Sequence, residues 1–117
     1  MEKKEIPQTE RVLGLLGLVA RARRCVFGTP MVCDAMRAGK KLWLVVEACD
    51  TSENTHKRIT DRCSYYGVRH VRIEVKTAAL AHAMGKSGDL AVVAVTDESM
   101  AGGILKLLSA SPGDGSI

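Results

Sequence analysis

Apolar residues in this sequence fall into stretches with helical spacing and into short runs with strand spacing, and the two kinds alternate. From about Gln8, the positions Val12, Leu15, Leu16 and Val19 recur at three-to-four spacing, with Leu13 and Ala20 widening the stripe. This predicts an amphipathic helix ending near Arg23. Gly14 and Gly17 both lower its helix propensity, which points to close approach by another element on that face. Arg24 to Phe27 is a short strand candidate. Gly28 then turns the chain, with Thr29 a suitable N-cap and Pro30 at a tolerated first helical position. Met31, Ala35 and Met36 continue a second helix until Gly39.

The run Leu42-Trp43-Leu44-Val45-Val46 is continuously apolar, as a strand covered on both faces must be. Asp50, Thr51 and Ser52 supply capping chemistry for a polar helix from about Glu53 to Tyr65, which Gly67 breaks. Val68 to Val75 alternates, with Val71, Ile73 and Val75 set against His70, Arg72 and Glu74. A short apolar helix from Thr77 to Met84 closes at Gly85. Leu90 to Val95 is a second continuous apolar strand, and Asp97 or Ser99 starts a last helix carrying Met100, Ile104, Leu107 and Leu108. Strands alternating with helices predict an α/β fold, a four-stranded mixed sheet between two helical layers. Residues 1–7 read as a polar tail. Residues 1–108 form one domain, and the Ser-, Gly- and Pro-rich segment 109–117 is expected to be a flexible tail.

With one Trp, one Phe and two Tyr, the core of this 117-residue chain must be aliphatic. No apolar run reaches the roughly 18 residues of a membrane span. The charged start, Met1 to Glu5, lacks the apolar segment of a signal peptide, so a cytoplasmic protein is expected. Cys25, Cys33, Cys49 and Cys63 form no CxxC pair, which argues against a zinc ribbon or redox motif. Cys25, Cys33 and Cys49 sit among apolar neighbours and read as small buried hydrophobes.

Charge changes the picture more. The net charge is +4, yet residues 1–41 hold nine Lys/Arg against four Asp/Glu, while residues 42–117 hold eight against nine. The excess therefore sits in the first third of the chain, which favours a local anion-binding face. Arg21, Arg23 and Arg24 precede the helix start at Gly28-Thr29. Guanidinium groups near an exposed helix N-terminus would attract phosphate. Lys76 and Lys86 flank the short fourth helix. If strands one and three are neighbours, these loops converge at one end.

Other constellations carry less. Gly85-Lys86-Ser87 has the end of a phosphate-binding loop, but the required earlier Gly is Leu80, and a helix rather than a strand precedes it. Gly14-Leu15-Leu16-Gly17 places two leucines where an RNA-clamping GxxG loop needs polar residues. His56, His70 and His82 have no sequence-adjacent partners and read as surface residues. Glu47 ends an apolar strand, either reaching solvent or facing a ligand or an arginine at the mouth of the sheet. No metal, cofactor or catalytic set is indicated.

Taken together, Leu16 to Arg23, the turn at Gly28, Asp50 to Thr55, Cys63 to Val68, Leu80 to Lys86 and Val93 to Asp97 resemble the kink-turn RNA-binding ribosomal protein superfamily, in particular its bacterial YlxQ-like branch. The resemblance spans about Arg11 to Leu108. It implies a three-layer α/β/α sandwich without catalytic activity. It also implies a binding edge formed by the start of the second helix and the loop before the fourth. Arg24, Lys76 and Lys86 would neutralise phosphates, and Gly28 and Thr29 would offer backbone N–H groups. Thr77, Ala78 and Leu80 would contact an unstacked base. The implied partners are structured RNA and the ribosome or another ribonucleoprotein, bound by a monomer. The chain departs from the family where base reading occurs: Pro30 and Met31 stand in for Asn and Glu, and Asp34 for Lys. Base-specific contacts each contribute roughly 1–3 kcal/mol of discrimination, so these changes work against strict kink-turn selectivity. The alternative is a protein-interaction module in which Met31, Met84 and the Pro30 turn form an apolar patch.

Overall fold

The computed structural model describes residues 8–109. The polar segment 1–7 and residues 110–117 of the expected tail lie outside the described residues, while Ser109, expected to begin that tail, is the last residue of the final helix. Elements follow in the order α1 (Gln8–Arg21), β1 (Cys25–Phe27), α2 (Thr29–Arg37), β2 (Leu44–Glu47), α3 (Glu53–Tyr66), β3 (His70–Arg72), α4 (Thr77–Ala83), β4 (Val92–Val95) and α5 (Glu98–Ser109). The sheet order is β1-β4-β2-β3. Strand β4 runs antiparallel to both β1 and β2, and β2 runs parallel to β3.

The continuous apolar runs are the two central strands, and every residue of β2 and β4 is buried. The pleat sends alternate residues to opposite layers. Leu44, Val46, Val93 and Val95 meet Val12, Leu16 and Val19 of α1, Leu80 of α4 and Ile104 of α5. On the other face Val45, Val92 and Ala94 meet Val32, Cys33 and Met36 of α2 and Ile59 and Cys63 of α3. The protein is thus the expected three-layer α/β/α sandwich. Among the described residues, no helix is long and apolar enough to cross a membrane.

Several local expectations change. Helix α1 stops at Arg21, and Arg23 takes a left-handed conformation with φ 59°. The Arg24 N–H bonds the Val19 carbonyl and the Arg23 N–H that of Ala20, a helix-ending arrangement in which glycine usually holds the left-handed position. The N-cap of α2 is Gly28 rather than Thr29, with φ 87° and ψ 152°, a backbone region that essentially only glycine occupies. Strand β3 keeps only three of the eight alternating residues, because its one ladder partner, β2, ends at Glu47. Ile73 and Val75 still enter the core beyond the ladder. Gly17 is where α1 meets α4 closely: a Cβ there would lie 3.3 Å from the Ala83 carbonyl oxygen. Gly14 faces open space, and no close approach explains it.

Candidate functional site

Four connections meet at one end of the sheet: those after β1, β2 and β3, and the approach to β4. Hydrogen bonds tie them into a continuous rim. The Gly28 N–H donates to the Val92 carbonyl, the Ala48 N–H to Ala91, the Leu90 N–H to Thr77 and the Cys49 N–H to Val75. Asp50 joins the second loop to the fourth helix. Its carboxylate accepts the Thr77 N–H at 2.7 Å and the Thr77 hydroxyl at 3.3 Å, which caps α4 from outside. Ser52 does the equivalent for α3, accepting the Thr55 N–H.

The structure brings most of the expected binding residues to this rim but alters their roles. Gly28 spends its N–H on β4, and Pro30 has none. The N–H groups of Thr29 and Met31 are left without an intrahelical acceptor at the start of α2. Pro30 is exposed, and Met31 is 58% exposed. Asp34 is turned to Arg37, with Oδ1 3.1 Å from Nη1. Lys76 and Ala78 are exposed and Thr77 is half-buried. Leu80 does not join them. It is fully buried in the core between α4 and the sheet, so the expected base contact is replaced by packing. Lys86 lies over β1, its amine 4.3 Å from the centroid of the Phe27 ring. Met84 is also buried, which removes one side of the apolar patch that a protein-interaction module would use.

Arg24 is misplaced by the sequence reading. Its carbonyl accepts the Thr96 N–H, whereas Gly28 bonds Val92, so the two residues mark opposite ends of β4. Four residues of extended chain separate them by about 13 Å. Strands β1 and β3 are the two edges of the sheet, so the loops do not converge through their adjacency as expected. The rim itself carries slightly more acid than base, with Asp50, Glu53, Glu74 and Asp89 against Arg72, Lys76 and Lys86.

Under the rim lies a polar cluster that the sequence does not announce. Glu47 shares the sheet face of Val45 and is fully buried. Parallel register puts Arg72 directly beside it and His70 beside Val45, all beneath α3. The Glu47 carboxylate accepts from Thr51 Oγ1, from His56 Nδ1 at 2.9 Å and from His70 Nε2 at 2.8 Å, and Arg72 Nε lies 3.6 Å away. Both imidazoles donate when His56 carries its proton on Nδ1 and His70 on Nε2. Burial alone would raise the Glu47 pKa, but the hydrogen bonds from Thr51, His56 and His70 outweigh it and hold the group below its ordinary value. One carboxylate and two imidazoles whose ligand atoms lie within 4.8 Å of one another form a donor set suited to a transition metal. Here the carboxylate is already satisfied by donors and faces a guanidinium, so the cluster acts as a polar lock joining β2, α3 and β3. The surface placement expected of His56 and His70 is corrected accordingly, and Glu47 faces an arginine at the mouth of the sheet rather than reaching solvent.

The thiols also sort by burial rather than by neighbouring residue types. Cys33 and Cys63 are buried, Cys25 is half-buried, and Cys49 is exposed on the rim despite its apolar sequence neighbours. Burial, with Cys33 and Glu47 adding, pushes the Cys63 thiol up to about 11. Burial raises that of Cys25 as well, against an opposing pull from Lys86.

Fold and rim together define a three-layer α/β sandwich with a row of hydrogen-bonded loops at one end of its sheet. The profile of the ribosomal protein L7Ae/L30e/S12e/Gadd45 family matches residues 10–102, and the chain belongs to that family. It is 43% identical over 95 residues to the RNA-binding protein YlxQ of Bacillus subtilis (strain 168), covering 80% of this chain and 91% of that protein. A second YlxQ, from Enterococcus faecium, is 36% identical over 59 residues, half of this chain and 56% of that one. These relatives put the chain in the YlxQ-like branch. Among solved structures, a protein of unknown function from Bacillus halodurans superposes with a TM-score of 0.77 at 29% identity, covering 85% of this chain and 97% of that one. The Giardia lamblia 15.5kD RNA binding protein shares the fold at 18% identity, with a TM-score of 0.71 over 93% of this chain and 91% of that one.

Proposed function

We propose that this chain is a non-enzymatic RNA-binding protein that takes structured RNA at the rim and works on the ribosome or another ribonucleoprotein. The observation that carries the reading is the exposed start of α2. Its Thr29 and Met31 N–H groups are unsatisfied within the helix, and hydrogen bonds through β4 tie it to the start of α4. Such N–H groups accept phosphate oxygens, and the helix dipole adds to the attraction. Thr77 and Ala78 supply small side chains against a base, and Lys76 supplies one cation. Family membership and the RNA-binding relatives support the same reading.

Base reading at this rim is weak. Pro30 offers no donor, Met31 no strong acceptor, and Asp34 a charge that repels phosphate. Kink-turn RNA is therefore favoured through the shape of its bent backbone, with modest discrimination against other folded RNAs. The test is a gel-shift titration with a kink-turn RNA, a simple duplex and a single strand at two salt concentrations. Salt-dependent binding with the kink-turn RNA tightest is expected. Binding to none of the three would overturn RNA binding, and equal binding to all would overturn selectivity for the kink turn.

A further inference from the structure

Six of the 15 Lys and Arg residues among those described lie at the end of the sheet opposite the rim, and three of them, Lys40, Lys41 and Arg69, line a groove with aromatic walls. The connections α1–β1, α2–β2 and α3–β3 all reach that end. Thr96 bonds Arg24, Trp43 bonds Val95, and Val45 bonds Arg69. They bring together Arg21, Arg23, Arg24, Lys40, Lys41 and Arg69, all exposed. The nearby acids are Asp97 and Glu98 at the start of α5, with Asp97 engaged in accepting the Met100 N–H, and Asp34, paired to Arg37. Between the loops lies a cavity of about 370 Å³, lined by Lys40, Lys41, Trp43, Tyr66 and Arg69 among others. The Lys41 amine sits 4.8 Å from the Trp43 ring centroid.

We infer that this groove is a second RNA-binding site, one that takes a single-stranded segment. The inference rests on the reading that the chain binds RNA, and it assigns the electrostatic part of that binding to the end the family edge does not use. Cations surrounding a concavity track the phosphates, while Trp43 and Tyr66 offer ring faces to bases. An unpaired base can enter a groove of this size, whereas bases in a duplex are stacked out of reach. A base stacking on Trp43 takes the face that Lys41 covers and frees its amine for a phosphate.

Trp43 is the chain's one tryptophan, so its fluorescence reports on the groove directly. The probe is a uridine strand of about eight nucleotides, within the usual range of single-strand sites and too short to fold. Saturable quenching of Trp43 is expected. In the double variant Lys40→Glu/Arg69→Glu the apparent Kd rises at least tenfold, and the slope of log K against log salt falls by about 1.4, the sum for two single-strand phosphate contacts. Met31→Asp, at the rim, leaves the quenching unchanged. Binding of a labelled strand by anisotropy without any quenching would overturn the inference, as would quenching insensitive to the double variant. Loss of kink-turn binding with quenching intact would instead overturn the rim and leave the groove. Failure of every RNA in both assays would overturn both readings.

Discussion

Replacing Glu47 by Gln tests the buried lock under the rim. The substitution keeps the shape but swaps one carboxylate oxygen for an NH2 group, which then faces either His56 and His70 on the Oε1 side or Thr51 and Arg72 on the Oε2 side. A hydrogen bond to a charged group contributes about 1.5–3 kcal/mol, and removing one partner of a buried charged pair costs about 3–5 kcal/mol. The upper figure does not apply, because Arg72 is 40% exposed and is not stranded by the change. The remaining amide oxygen also keeps one or two of the bonds. The expected loss is about 2–3 kcal/mol, equivalent to a fall in Tm of roughly 8–12 °C for a domain of this size. Urea unfolding at neutral pH measures it, with an unchanged m-value showing that only stability moved. Acid should narrow the gap. The folded pKa of Glu47 lies below the unfolded value of about 4.3, so its contribution is complete above that value and fades as pH falls through the folded one. A loss under about 0.5 kcal/mol at neutral pH would place Glu47 among ordinary surface positions and refute the lock.

Leu80→Ala should lower stability by about 2–5 kcal/mol in chemical denaturation, the cost of emptying a fully buried leucine site, whereas a base-contacting residue would leave stability intact. Gly28→Ala should cost about 1–3 kcal/mol, because φ 87° with ψ 152° strains any side chain, and a calorimetric Tm reads the effect. Arg23→Gly should raise stability by about 1 kcal/mol by relieving the left-handed arginine, while weakening single-strand binding measured through Trp43. Asp50→Ala should cost about 0.5–2 kcal/mol in chemical denaturation as a lost helix cap, since the Thr77 N–H loses its acceptor.

The layers of this protein were legible in its sequence because burial on both faces leaves a continuous apolar run and burial on one leaves a periodic one. Leu44 to Glu47 and Val92 to Val95 are the central strands for that reason, and Val12, Leu16 and Val19 the inner stripe of α1. Gly28 and Gly67 marked their turns, since positive φ favours glycine. Strand order was not legible, because spacing within a segment says nothing about which edges pair. Antiparallel insertion of β4 between β1 and β2 separated Arg24 from the helix start it seemed to serve, and moved the basic loops of the first third to the far end of the sheet. Glu47 shows the same limit. Its partners lie 4, 9, 23 and 25 positions away, so only packing of α3 over the β2–β3 edge turns a strand-end acid and two scattered histidines into a buried cluster. Sequence set which residues are apolar, charged or able to turn, because those properties are local. Tertiary structure decided which charges share an end, because that depends on the path of the chain.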